Sequence, residues 1–245
     1  MKTKAFAFLL AFLATPALAG EVQVLSAGAV EPGLMAAADA YKRQTGDAVT
    51  VRFATAPTLR RKIADGEVAD VLLAPPAVLD EAAAKLAPDA HAEVGKVGVG
   101  VAVRDGAPKP DVSSAEALKA GVRGAESLIF NQASTGVYVE GLLQKLGLWD
   151  EAKGKTTRYP DGAAVMEHLI RGKGAEVGFG AITEIMLYRG KGLTFVGPLP
   201  AEVQNHTRYA AAALAGAPNP EGARAFVRFL GSPEAKALLV ANGVE

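Results

Sequence analysis

From Glu21 onward, short runs rich in Val, Leu and Ile alternate with Ala-rich stretches whose apolar positions recur at helical spacing. Residues 22–25 read as a strand, 32–44 as a helix, 48–53 as a strand, 58–65 as a helix closed by Gly66, and 70–73 as a third strand. Strands separated by single helices cannot pair as hairpins, so the pattern predicts an α/β fold with a mainly parallel sheet flanked by helices. Residues 95–103 alternate Gly and Lys with Val and stop at a Pro-rich turn over 104–111, which reads as a long strand. The alternation then restarts: helix 114–119, strand 127–130, helix 136–146, strand 155–158, helix 162–171 and strand 176–179. An extended apolar run at 207–215 is followed by helices 220–230 and 233–242. A restart after a long strand predicts a second lobe. The strands near 97–103 and 207–213 are then the crossings, giving lobe 1 as 20–100 plus 208–245 and lobe 2 as 101–207.

The segment ahead of this pattern has a different character. Lys2 and Lys4 precede an apolar run over 5–13, and Ala17-Leu18-Ala19 is a small-x-small cleavage site, so residues 1–19 read as a secretory signal. The run falls well short of the roughly 20 apolar residues that span a bilayer. The expected product is a periplasmic protein with no membrane insertion. It has no cysteine, hence neither disulfides nor thiolate ligands. The chain carries 26 basic and 26 acidic residues; removing Lys2 and Lys4 leaves 24 against 26, a net charge of −2. Such a balance provides no global attraction for nucleic acid or anionic membrane, so any charge selectivity is local.

Four strand-to-helix junctions carry small or hydroxylated residues: Ser26-Ala27-Gly28-Ala29-Val30, Ala54-Thr55-Ala56-Pro57-Thr58, Gln132-Ala133-Ser134-Thr135-Gly136 and Pro160-Asp161-Gly162-Ala163. Helix N-termini present unpaired backbone N–H groups and partial positive charge, and residues without bulk let a ligand reach them. Four such ends converging on one cleft would form an anion site without a cationic side chain. Each alone is an ordinary cap. Arg60 and Arg61 follow the second junction and could clamp a carboxylate, or lie on a solvated helix face.

Enzyme signatures are sparse. His91, His168 and His206 lack metal-ligand spacing, Gly-x-Ser-x-Gly is absent, and no phosphate-loop or dinucleotide fingerprint occurs. Neither a metal nor an organic cofactor is expected.

Residues 22–34, Thr58-Leu59 through Asp65-Gly66-Glu67-Val68-Ala69-Asp70-Val71, Leu146-Gly147-Leu148-Trp149, and Asn219-Pro220-Glu221 through Ser232-Pro233-Glu234-Ala235 resemble the periplasmic molybdate-binding-like solute receptors of ABC importers. The resemblance covers the chain after the signal. It implies the two-lobe type II periplasmic binding-protein fold, a small anion in the cleft, a membrane permease as partner and a monomeric receptor. It also implies ligand contacts from Gly28, Ala29, Thr55, Ala56, Thr58, Arg60, Ser134, Thr135, Gly136, Gly162, Ala181 and Thr183. In molybdate binders, hydroxyl-bearing residues stand where this chain has Ala29, Ala56 and Ala181. Each missing donor to a buried anion costs about 1–3 kcal/mol if nothing replaces it. An organic carboxylate is therefore expected ahead of an oxyanion. The segment Gly178-Phe179-Gly180-Ala181-Ile182-Thr183-Glu184-Ile185 is also similar to a branch close to a periplasmic aconitate isomerase on the same fold. That leaves open a cofactor-free isomerase of an unsaturated acid, with Glu31, Asp161, Glu184 and His206 as candidate acid–base groups. A sensory partner of a membrane kinase would use the same binding physics.

Overall fold

The computed structural model describes residues 20–245; the expected signal at 1–19 lies outside them. The first half opens with β1 (Glu21–Ala27), a 3-10 turn (Gly28–Val30), α1 (Glu31–Thr45), β2 (Ala48–Ala54), α2 (Ala56–Ala64), β3 (Val71–Ala74) and α3 (Pro76–Glu81). A long strand β4 (Leu86–Arg104) leads to α4 (Ala115–Gly124), β5 (Ser127–Asn131), α5 (Ser134–Lys145), α6 (Trp149–Ala152) and β6 (Thr156–Tyr159). Then come α7 (Gly162–Arg171), β7 (Glu176–Ala181), α8 (Ile182–Leu187), β8 (Leu193–Pro198), β9 (His206–Leu214), α9 (Pro220–Leu230) and α10 (Pro233–Ala241).

The strands follow the order β2-β1-β3-β9-β4-β7-β5-β6, with β8 also on β4. Parallel pairs are β1 with β2 and β3, and β5 with β6 and β7, as single intervening helices require. The antiparallel ladders all involve β4 or β9. Strand β4 pairs with β9 up to Gly98 and with β7 from Val99, so it changes lobe between two adjacent residues. Gln204 holds that point: its Oε1 accepts from Val99 N at 2.9 Å and its Nε2 donates to Val99 O at 2.9 Å. All of β9 belongs to the first sheet, starting with His206 opposite Gly98.

One apolar centre fills the first half, and the second half has two, the smaller around Ile129, Val165, Met166 and Leu169. In the first, Tyr41 of α1 packs on Phe226 and Phe229 of α9 at ring separations of 5.1 and 5.3 Å, which brings the C-terminal helices back to the N-terminal sheet. Asp70 ties the same elements by accepting from Gln23 N and Asn219 N, both at 2.7 Å. In the second, Phe130 meets Phe179 edge-on at 6.3 Å beneath the Arg158 guanidinium.

The expected strands and helices are present, but only β4 crosses between the sheets, because the chain has already returned to the first sheet when β9 begins; α3, α6, α8 and β8 come in addition. Strand β4 begins nine residues earlier than the Gly/Val alternation indicated, because Pro88 and the charged residues on its outer stretch mask the period. Helices α3, α6 and α8 and strand β8, none longer than six residues, are too short to display a period.

Candidate functional site

All four junctions open onto a single cavity of about 430 Å³ between the halves. Its walls come from Ala27, Gly28, Ala29 and Glu31; from Ala54, Thr55, Ala56 and Thr58; from Asn131, Ala133, Ser134 and Thr135; and from Pro160, Asp161, Gly162 and Ala163.

How these helices begin determines what they offer. Helices α4, α9 and α10, which do not line the cavity at their starts, are capped by the side chains of Ser114, Asn219 and Ser232. Helices α1 and α2, which do, have no side-chain cap at Val30 or Thr55, and at α5 the N-cap residue Ala133 gives none, the amides of Ala133 and Gly136 going to Asn131 while those of Ser134 and Thr135 are left. An uncapped N-terminus retains N–H donors with no acceptor in the helix, and these point along the axis toward the cavity. The Thr55 hydroxyl, which might have capped α2, instead donates to Thr58 Oγ1 at 3.1 Å. Helix α7 is the exception: Asp161 Oδ1 accepts from Ala164 N at 2.9 Å, and the ends at Gly162 and Ala163 still face the cavity.

At the third junction Asn131 is nearly fully buried, and its Oδ1 accepts from Ala133 N and Gly136 N at 3.1 and 2.9 Å. Those two bonds set the amide's orientation and leave its NH₂ as a donor on the cavity wall. Gly136 itself does not line the cavity. A Cβ there would lie 1.7 Å from Asn131 O, so only glycine lets the start of α5 close onto β5.

Several expected contacts lie elsewhere. Arg60 and Arg61 face a surface groove between α2 and α3, where Arg60 Nε binds Glu81 Oε2 at 2.7 Å. Helical phase is the reason: the cavity takes the N-terminus of α2 and the side of Thr58 and Lys62, and Arg60 points away from that side. Ala181 is buried in the first core, and Thr183 spends its hydroxyl on Ala29 O at 2.5 Å, tying α8 to the first junction. His206 is exposed at the start of β9, 3.7 Å from Glu245. Among the described residues, no cluster of three or more His, Asp or Glu could hold a metal ion.

Lys62, Tyr188 and Tyr209 join the wall, none of which the junction pattern pointed to. Lys62 Nζ is engaged with Glu67 at 2.5 Å. Tyr209 is buried on β9, and burial together with the nearby Glu184 raises its phenol pKa, so it stands as a neutral hydroxyl.

Glu184 is the most perturbed acid of the site. It reaches from α8 between the two lobes: a Cβ on Gly28 would lie 3.3 Å from its Oε1, and one on Gly162 only 2.1 Å from its Oε2. Burial pushes its carboxyl up to about 7, Asp161 and Glu31 add repulsion, and a backbone hydrogen bond at Ala181 partly offsets them. Three carboxyl groups thus share a cavity with the helix-end amides and with the side-chain donors of Thr55, Thr58, Ser134, Thr135 and Asn131.

Two α/β halves joined by strand β4 and by the segment between β8 and β9, with helix N-termini at the space between them, define the type II periplasmic binding-protein class. The chain belongs to the bacterial extracellular solute-binding proteins, whose family model matches residues 22–245. It is 31% identical to an aconitate isomerase from Pseudomonas sp over 244 residues, covering 94% of this chain and 91% of that one. Its fold is similar to that of the Azotobacter vinelandii periplasmic molybdate-binding protein (TM-score 0.74, 20% identity, 91% of this chain and 98% of that one). It is also similar to that of the sulfate-binding protein from Mycobacterium tuberculosis H37Rv (TM-score 0.71, 19% identity, 91% and 86%). No helix among the described residues is long and apolar enough to cross a membrane.

Proposed function

We propose that this chain is a periplasmic receptor that holds a small organic carboxylate in the interlobe cavity and presents it to the membrane permease of an ABC importer. The observation that carries this reading is the convergence of the N-terminal ends of α1, α2, α5 and α7 on one cavity, with no side-chain cap on α1 or α2. A cavity of about 430 Å³ has room for a six-carbon acid. Ala29 and Ala56 line it with methyl groups where an oxyanion receptor would place hydroxyls, which matches a carbon skeleton better than a bare tetrahedral anion. The backbone ends at Gly28, Ala56, Ser134 and Gly162, with the Asn131 amide, are the assigned carboxylate contacts. We take lobe 1 as 20–98 plus 206–245 and lobe 2 as 99–205, moving about the Gln204–Val99 clamp. Residues 1–19 are assigned as the export signal, and the receptor acts as a monomer. Calorimetric titration with citrate, trans-aconitate, molybdate and sulfate tests the reading. A carboxylate should bind at micromolar or tighter affinity and molybdate far more weakly; tight molybdate binding with no response to either acid overturns it.

A second reading is favoured by the carboxyl groups themselves and by the aconitate isomerase relative. An unsaturated acid in the cavity could undergo a 1,3-proton shift. Glu31 or Asp161, ionised, would take a proton from the methylene carbon, and that C–H electron pair would form the new double bond. Neutral Glu184 would deliver a proton to the far vinylic carbon as the old double bond opens. Proton return from the base to Glu184 completes a cycle that needs no oxidant or cofactor. Incubation with cis-aconitate followed by proton NMR tests it, and absence of the trans isomer at long times rejects it.

A further inference from the structure

Any anion that reaches the helix ends must lie beside Glu184. Its Oε1 is next to Gly28 on the first junction and its Oε2 is next to Gly162 at the start of α7, so one carboxyl group sits against the open side of a glycine from each lobe. No side-chain donor of the described residues is hydrogen-bonded to it. The charged and titratable groups facing it are Asp161 at the start of α7, Glu31 on α1, Tyr209 on β9 and Tyr188 on its own helix, with Lys62 on α2 also lining the cavity. Lys62 is committed to Glu67. Among the described residues the Glu184 carboxyl therefore has two acids, two phenols and no free cation around it.

Adding a di- or trianion to this set leaves two possibilities. An ionised Glu184 would face the ligand's charge across the narrow gap between the two junctions. A protonated Glu184 would instead turn its O–H into a donor of the kind the alanines have removed. Burial and its acidic neighbours already place the carboxyl near neutrality in the empty protein, at about 7, and a bound anion acts in the same direction.

We propose that Glu184 meets the bound anion as a neutral carboxylic acid, donating a hydrogen bond to it, so that capture of the anion takes up a proton. Glu184 is then a specificity-determining residue. It accepts ligands that offer a hydrogen-bond acceptor at the Gly28–Gly162 gap, and it couples their affinity to pH. The inference deepens the carboxylate reading and rests on it for the choice of first probe, while the proton count holds for any anion in the cavity.

The test is calorimetry with trans-aconitate and, separately, molybdate at pH 8, where neither probe carries a titrating proton. Each titration is run in two buffers of different ionisation enthalpy, so that the change in observed heat counts protons. The wild-type protein should take up nearly one proton per anion, and its affinity should fall by up to about tenfold for each pH unit above 7. Glu184→Gln keeps an N–H donor of the same shape. It should still bind, with little proton uptake and affinity nearly flat from pH 7 to 9. Binding by the wild type without proton uptake overturns the inference, as does equal uptake by the Gln variant. If molybdate binds and trans-aconitate does not, the carboxylate reading falls and the molybdate proton count alone decides the role of Glu184. Absence of heat from both probes overturns both.

Discussion

Gly136→Ala and Gly141→Ala place the same methyl group on the same helix with opposite expected outcomes. At Gly136 the new Cβ would lie 1.7 Å from Asn131 O, 2.6 Å from its carbonyl carbon and 2.9 Å from Oδ1. The carbonyl belongs to β5 in the middle of the second sheet, so it has little freedom to retreat. Reaching an ordinary C···O separation requires a shift of roughly 1.5 Å, and the start of α5 has to provide it. Overpacking of this kind costs about 1–3 kcal/mol, which lowers the melting temperature of a chain this size by roughly 2–10 °C. The same shift carries Ser134, Thr135 and the Asn131 amide off the cavity wall, so anion affinity should fall at least about tenfold, consistent with losing one or two hydrogen bonds to a charged ligand. At Gly141 a Cβ meets nothing within 4 Å, and an interior helical glycine replaced by alanine gains about 0.5–1 kcal/mol. That variant should melt slightly higher and bind as the wild type does. Thermal unfolding followed by circular dichroism, with calorimetric titration of trans-aconitate, reads both effects. A Gly136→Ala protein that melts and binds like the wild type would refute the claim that close approach at this point builds the third junction.

Two further outcomes follow from the site. The carboxyl of Glu184 rises in the folded protein from an ordinary 4.5 to about 7, so the native state keeps a proton that the unfolded chain releases over that interval. Its contribution is most favourable below pH 4.5 and is lost as pH climbs through 7, up to about 3 kcal/mol at about 1.4 kcal/mol per decade. Contact with cavity water reduces this to about 2 kcal/mol. Urea unfolding of wild type and Glu184→Gln at pH 5 and pH 8 should show the difference in stability moving in favour of the Gln variant by that amount. A difference that does not change with pH contradicts the assignment. Arg60→Ala should leave anion affinity within about twofold and cost no more than about 1 kcal/mol, because its partner Glu81 lies in an exposed pair; a large loss of affinity would place Arg60 on the ligand.

Much of the architecture was legible from local pattern. Repeating strand–helix units, Pro at the starts of α1, α2, α9 and α10, and the left-handed Gly46 and Gly66 at helix ends are nearest-neighbour effects that a linear chain displays. The four small-residue junctions were legible for the same reason, since helix ends impose local chemistry. Their convergence on one cavity depends on which strands become neighbours, and periodicity does not encode that.

The individual side chains divide in the same way. Gly28, Ala29, Thr55, Ala56, Thr58, Ser134, Thr135 and Gly162 sit at helix starts and line the cavity. Of the two readings of Arg60, the rotation of α2 about its axis decides for the solvated face, where it pairs with Glu81. Thr183 was misplaced because the first junction, 154 residues away, takes its hydroxyl. Tyr209 and Lys62 reach the cavity through the packing of β9 and α2, for which the linear pattern carries no signal. Glu184 was one acid among four candidates in the chain. Only the fold sets it between two glycines of opposite lobes and beside two more carboxyls, and desolvation and charge repulsion are properties of that enclosure. The sequence by itself determined the secondary elements and the helix-end chemistry because both are local; the tertiary structure decided which groups share the cavity and what charge they carry there.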